Sequence, residues 1–301
     1  MGNIFYFGWE EQYLVWLQHL GGNGALHSVL LFFNNLFSFL GEETICVAIM
    51  GLVYWGINKE KGRRIGIVVI TANICNGMIK NIFCRLRPYQ TLDDIELLRD
   101  VDGYSFPSGH SANSAALYPT TAYEFKDKKW LKYFAICIPL LVAVSRNFLG
   151  AHWPTDVIVG LLQGLLIFII VEFLSAKFNN IYLVYGVLLV AGFFGMFYCK
   201  TSDYFNSYGM LIGACLGTLF EEKVVNFENT TKVPLVILRT IGGAVAYLLC
   251  NTALKAVLGG LFEQDTTGYF LMRTLRYAIL LFLLIGVYPM LFKIETKFKK
   301  A

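Results

Sequence analysis

The chain has 301 residues, 56% of them hydrophobic and 15% charged. That leaves too little polar surface for a water-soluble globular domain and points to a bilayer as solvent. The net charge of +4 lies in short clusters beside apolar segments, which excludes an extended nucleic-acid-binding face, and no nucleic-acid partner is expected.

In chain order, residues 1–42 alternate short apolar runs with Glu10, Glu11, Asn34 and Asn35, the pattern of interfacial or re-entrant helices. No Lys or Arg precedes Lys59, so the positive flank of a signal peptide is missing. Mainly apolar segments at about 43–58, 65–83, 108–124, 130–149, 155–176, 181–199, 208–221, 233–258 and 269–292 predict eight or nine spans. The shortest, 108–124 and 208–221, are expected to be tilted or incompletely spanning. The fold class is all-α, a polytopic transmembrane helix bundle.

Positive charge sets the expected orientation. Lys59 to Arg64 reads as a cytoplasmic loop, and Lys126, Lys128, Lys129, Lys177, Lys223, Lys232, Lys293, Lys297, Lys299 and Lys300 fall on the same side. The C-terminus is thus cytoplasmic, and the segments 84–107, 150–154, 200–207 and 259–268 lie on the other side. Of these only the first is rich in Arg, a local violation that asks for an explanation. The seven cysteines fall mostly in apolar runs and form neither a disulfide framework nor a C-x-x-C pair, which argues against structural zinc.

Three polar clusters interrupt the apolar background, and this topology brings all three to one extracytoplasmic membrane surface. Lys80-Asn81-Ile82-Phe83-Cys84-Arg85-Leu86-Arg87-Pro88 closes one span. Pro107-Ser108-Gly109-His110 opens the next. Ser145-Arg146 through His152 to Asp156 joins two later ones. Singly, each reads as a snorkelling cation or a turn. Jointly, they gather two of the four histidines, at least three cations and an Asp, a set whose cost near apolar spans is usually repaid by function.

The chemistry that suits this set is phosphoryl transfer, whose transition state spreads charge over three equatorial oxygens. Lys80, Arg87 and Arg146 supply positive donors. Pro107 to His110 starts a helix whose free N–H groups form an anion site, with Gly109 allowing close approach. Ser108, His110 and His152 are the available nucleophiles. Because Asp156 follows His152 by four residues, one helical turn, its carboxylate can accept a ring N–H, which favours His152 as nucleophile. His110 is then left to act as general acid and base. The cations neutralise the phosphate, so neither a metal nor another cofactor is expected.

These clusters resemble the signature of the type 2 phosphatidic acid phosphatase superfamily, K-x6-RP, PSGH and SR-x5-H-x3-D. The fit covers Lys80 to Pro88, Pro107 to His110 and Ser145 to Asp156 without departure. The resemblance implies a six-helix phosphatase core over 43–178, and the chain departs from that pattern by about three additional apolar helices in 179–301. It implies that Lys80, Arg87, Ser108, Gly109 and Arg146 bind phosphate, with His152 as nucleophile, Asp156 as its partner and His110 as acid. The family's soluble acid phosphatases and vanadium haloperoxidases fit this apolar chain less well than its membrane branch.

The expected substrate is a lipid phosphate monoester or pyrophosphate: a phosphatidate, an isoprenoid pyrophosphate or a sphingoid phosphate. Extra spans resembling those of sphingoid-base phosphate phosphatases keep that branch open. The expected setting is the plasma membrane. The competing expectation is a transporter or scramblase that binds phosphate headgroups without hydrolysis. Two further expectations concern less specific regions. Tyr89 to Tyr104 should form a partly helical flap, with Leu92, Ile95, Leu97 and Leu98 dipping into the headgroups and its acids pairing with Arg85 or Arg99. Glu172, Glu221, Glu222, Arg239, Lys255 and Arg273 should be snorkelling, paired, or lining a substrate path.

Overall fold

The structure, a computed structural model, describes residues 2–22 and 24–292. The tail lysines Lys293, Lys297, Lys299 and Lys300 therefore lie outside the described residues. Those residues form α1 (Gly8–Gln18), α2 (Ala25–Phe39), α3 (Glu43–Gly51), α4 (Lys59–Phe83), α5 (Gly109–Glu124), α6 (Leu131–Phe148), α7 (Pro154–Phe178), α8 (Ile181–Phe193), α9 (Ser202–Phe220), α10 (Val233–Leu258) and α11 (Thr267–Phe282). Among them the only β-type pairing is one isolated bridge between Asn3 and Arg85. The fold is all-α, as the sequence implies.

Among the described residues five helices are long and apolar enough to cross a membrane: Lys59–Phe83, Leu131–Phe148, Pro154–Phe178, Val233–Leu258 and Thr267–Leu291. They become six if Ala25–Phe39 and Glu43–Ile57 form one broken span. The chain is a multi-pass membrane protein, with fewer qualifying spans than the eight or nine expected. The shortfall has a composition-based cause. α5 buries Ser111, Asn113, Ser114 and Thr120, α8 has 13 residues, and α9 begins with Asp203, Asn206 and Ser207.

The predicted cytoplasmic loop at Lys59 to Arg64 is instead the first turns of α4. Asn58 caps it, its Oδ1 accepting from the Lys61 N–H at 3.0 Å. A short polar side chain before a helix satisfies an N–H that has no intrahelical partner, so the break in the chain shrinks to Asn58.

The described chain divides into two compact units. One comprises Met1–Cys46 with Cys75–Glu172, the other Val47–Ile74 with Phe173–Ala301. In the first, α5 and α7 approach closely because α7 carries Gly160 and Gly164 one turn apart. A Cβ at Gly160 would lie 2.5 Å from the Ser108 carbonyl, and one at Gly164 2.4 Å from that of Ala112. Small residues at this spacing let helix backbones meet where lipid provides no hydrophobic drive. The same unit seats α1 through Leu14, packed with Ile95 and Trp153, and Leu17, packed with Phe148 and Leu149. Each such burial contributes about 1.5–3 kcal/mol.

The Tyr89 to Tyr104 segment differs from the expected flap. Apart from a short 3-10 turn at Pro88–Gln90 it is irregular, and Leu92, Ile95 and Leu98 pack against protein. Ile95 joins the Leu14 and Trp153 cluster, and Leu98 packs against Leu17, Phe148 and Leu149. Gln18 ties down the backbone of Glu96, donating to its carbonyl at 2.7 Å and accepting from its N–H at 2.9 Å. The predicted partners also differ: Arg99 pairs with Glu42, and Arg85 with Glu10 and Asp156. α1 supplies an apolar face, Leu14 and Leu17, on which Ile95 and Leu98 pack.

In the second unit Glu221 pairs with Lys59 at 3.0 Å and Glu222 with Arg63. Arg239 lies over the Phe292 ring and donates to the Glu228 carbonyl at 2.9 Å. These are the paired groups expected near apolar helices.

Candidate active site

All eight candidate residues lie in the first unit. Ser108 caps α5, its Oγ accepting from the Ser111 N–H at 3.4 Å and the Ser111 hydroxyl at 3.0 Å. Its own N–H donates to the Asp156 carbonyl at 2.9 Å, which couples the second motif to the third. Gly109 begins the helix, and a Cβ placed there would lie 4.0 Å from the Lys80 ammonium, so Lys80 sits over the helix N-terminus. His110, half-buried, is the second residue of α5, its backbone and Cβ against Gly41.

The third motif is shaped by how α6 ends. Gly150 has φ +68°. Its N–H donates to the Asn147 carbonyl at 3.0 Å, and the Ala151 N–H donates to that of Arg146 at 3.2 Å. This is a Schellman cap, which needs a left-handed residue and therefore favours Gly. A Cβ at Gly150 would also strike the Glu96 carbonyl at 2.2 Å. The cap turns the chain so that His152 points back towards Arg87, and Asn147 holds the His152 carbonyl at 2.9 Å.

Arg87 Nη1 donates to the Ala151 carbonyl at 2.8 Å and lies 3.3 Å from His152 Nε2. Its other nitrogens reach the Asp102, Gly103 and Tyr104 carbonyls. Burial, with the Arg87, Arg146 and Lys80 cations facing it, holds the His152 imidazole well below the usual histidine value. The ring is therefore neutral. Because a guanidinium only donates, Nε2 carries the lone pair and Nδ1 the proton.

Nδ1 faces Asp156 Oδ2 at 3.6 Å, beyond the hydrogen bond expected from the four-residue spacing. The carboxylate is committed elsewhere. Oδ2 accepts from the Trp153 N–H at 2.8 Å and from the Ser105 hydroxyl, and Oδ1 from Arg85 Nη1 at 2.6 Å. Arg146, fully buried, donates Nη1 to Ser38 Oγ at 2.6 Å, while its Nε and Nη2 have no protein partner. Orphaned guanidinium nitrogens beside a neutral imidazole are suited to receive an oxyanion.

The sequence did not single out the support beneath this site. Glu10, fully buried on α1, accepts from Arg85 Nη2 at 3.0 Å, the Thr155 N–H at 3.0 Å, the Thr155 hydroxyl at 2.7 Å and the Phe7 N–H at 2.9 Å. Arg85 also donates to the Phe5 carbonyl at 2.8 Å and lies between the Phe5 and Trp153 rings. One cation is thus shared by two carboxylates, one of them beside His152. An acid in an aromatic-rich segment was the available signal for Glu10. Ser38, inside an apolar helix, gave none.

The PAP2 superfamily model matches residues 61–180, and a second model, the PAP2 superfamily phosphatase transmembrane extension, matches residues 205–298. Among curated proteins, phosphatidylglycerophosphatase B of Bacillus subtilis is 37% identical over 118 residues, 36% of this chain and 56% of that protein. An undecaprenyl-diphosphatase of Sulfolobus acidocaldarius is 29% identical over 164 residues, 49% of this chain and 75% of that one. The match thus spans little more than half of the Bacillus relative. A crystal structure of a transmembrane PAP2-type phosphatidylglycerolphosphate phosphatase from Bacillus subtilis shares 29% identity, covering 56% of this chain and 85% of that one with a TM-score of 0.46.

Proposed function

The chain belongs to the PAP2 superfamily, and from that premise we propose that it is a membrane lipid phosphatase that works through a phosphohistidine on His152. The observation that carries this reading is the buried His152 ring, its Nε2 3.3 Å from Arg87 Nη1 and its Nδ1 3.6 Å from Asp156 Oδ2.

In this mechanism the phosphate rests on Lys80, Arg87, Arg146 and the α5 N-terminus formed by Ser108 and Gly109, where these donors meet the charge of the transition state. Nε2 attacks phosphorus, the bond from phosphorus to the lipid oxygen breaks, and His110 gives its proton to the departing oxygen. Burial and the Arg146 and Lys80 cations hold the His110 imidazole well below the usual histidine value until the negative phosphate is bound. Asp156 stabilises the positive charge that develops on the His152 ring. Water then attacks phosphorus, giving a proton to His110, the phosphorus–Nε2 bond breaks, and phosphate leaves with both histidines restored. The three cations perform the neutralisation, and the scheme uses no metal.

The core would lie within 43–178, with 179–301 as additional helices and 1–42 as interfacial or re-entrant helices. The Lys/Arg distribution favours an extracytoplasmic site with a cytoplasmic C-terminus in the cell membrane. Relatives named for phosphatidylglycerophosphate and undecaprenyl diphosphate support a lipid carrying a phosphate monoester or diphosphate as substrate.

The test is phosphate release by the purified full chain from a panel of both lipid types, with acid quenching to trap an acid-labile, base-stable phosphoenzyme. Release with a trapped intermediate in the native protein and none in His152→Ala supports the reading. Lipid translocation without release would replace it with a headgroup transporter.

A further inference from the structure

In the second unit the α10–α11 pair carries a cation cluster that the proposed catalytic site does not use. Lys255 on α10 and Arg273 and Arg276 on α11 line a polar cavity of about 260 Å³, together with Phe262, Gln264 and Tyr269. Arg273 and Arg276 are three residues apart and so share a helix face, inside a segment apolar enough to span a membrane. Such charges are expensive there and are normally paired.

These cations are not paired with acids. Arg273 donates to Asn206 Oδ1 at 2.9 Å and to the Tyr269 hydroxyl at 2.7 Å. Arg276, 8% exposed, reaches only Asn251 Oδ1 at 3.4 Å and the Tyr277 hydroxyl at 3.2 Å, and its Nε has no partner. Lys255 is exposed at the cavity edge. Among the described residues none of the three forms an ion pair, although Glu263 and Asp265 lie in the segment joining the two helices. Three positive charges with neutral neighbours and a buried, unused N–H form a receptor for an anion. Arg forks and a Lys point charge match phosphate oxygens in particular.

We propose that the α10–α11 pair binds a phosphate group, either free phosphate or the headgroup phosphate of an anionic lipid. The cavity is below the usual size for a drug-sized ligand, so it takes the phosphate moiety and leaves any lipid chains in the bilayer. The site is separate in residues from the proposed catalytic centre and stands whether or not that centre hydrolyses lipids.

Hydrogen exchange of the full chain tests it, because local protection distinguishes this site from the catalytic one. The probes are inorganic phosphate added to protein in phosphatidylcholine nanodiscs, and phosphatidylglycerol placed in those nanodiscs, with phosphatidylcholine alone as the control. At ten times the dissociation constant, exchange through local opening in peptides covering 255–276 should slow by up to about tenfold. Protection by inorganic phosphate identifies the free ion as a ligand, and protection by phosphatidylglycerol alone identifies the headgroup. Protection by neither overturns the proposal. Arg273→Gln with Arg276→Gln should abolish the effect while peptides around Ser108 and His152 respond to phosphate as before. Lys255→Gln, at an exposed position, should weaken binding about threefold, and unchanged binding in that variant also overturns the three-cation site.

Discussion

Replacing Glu10 with Ala removes four hydrogen bonds from a fully buried carboxylate and leaves Arg85, 1% exposed, with a single acidic partner, Asp156. Breaking a buried pair from one side costs about 3–5 kcal/mol because the remaining charge stays desolvated. Since Arg85 keeps Asp156, Thr155 and the Phe5 carbonyl, the lower end, about 3 kcal/mol, applies. At roughly 2–4 °C per kcal/mol for a chain of this order, that is a fall of roughly 6–12 °C in unfolding temperature. The assay is thermal unfolding of the purified protein in a neutral detergent, with Glu11→Ala as control. Glu11 is half-buried and forms no ion pair among the described residues, so its removal should stay within about 0.5 kcal/mol. A Glu10→Ala protein that melts within a degree of the Glu11→Ala protein would refute the shared-cation account.

His152→Ala should abolish phosphate release while retaining inorganic phosphate binding, read by protection against heat; near-native turnover would remove His152 as nucleophile. Because His152 titrates well below its usual 6.5, its neutral form should persist into acid. The acid limb of kcat/KM, corrected for substrate ionisation, should then lie below pH 6.5. Arg87→Ala removes one of the cations that depress that value, so the limb should move upward, and a downward or absent shift would contradict the assignment. Chelation with EDTA should leave activity unchanged and vanadate should inhibit; magnesium-dependent recovery after chelation would show a metal step. Ile95→Ser should lower stability by about 2–3 kcal/mol and affect long-chain and water-soluble substrates alike, since Ile95 packs on Leu14 and Trp153.

Spacing made the three motifs legible, because Lys80, Arg87, Ser108, His110, Arg146, His152 and Asp156 are polar residues in an apolar chain. Motif spacing does not report which oxygen of Asp156 is occupied, and so it missed that Arg85, Ser105 and the Trp153 N–H reach the carboxylate before His152 does. The span count differs where length and polarity disagree, at a segment already expected to be short or incompletely spanning: α5 is apolar enough to be noticed but has 16 residues, and it buries Ser and Thr hydroxyls that bond its own backbone. The flap reading failed because amphipathic pattern alone cannot tell a protein surface from a lipid one. The acids on Tyr89 to Tyr104 suggested water on one side, and the partner on the other side proved to be α1, far away in sequence.

That separation bears on how the protein is made. Glu10 leaves the ribosome early, yet Thr155, which gives it two hydrogen bonds, lies 145 residues later in the chain. Glu10 can meet Arg85 as soon as the first motif has been made, but its hydrogen bonds to Thr155 and the packing of Leu14 on Trp153 and of Leu17 on Phe148 wait for the α6–α7 turn. Nascent chains halted before His152 would carry the cationic first motif and the α5 anion cradle without the nucleophile, so the proposed centre is complete only once the third motif has been made.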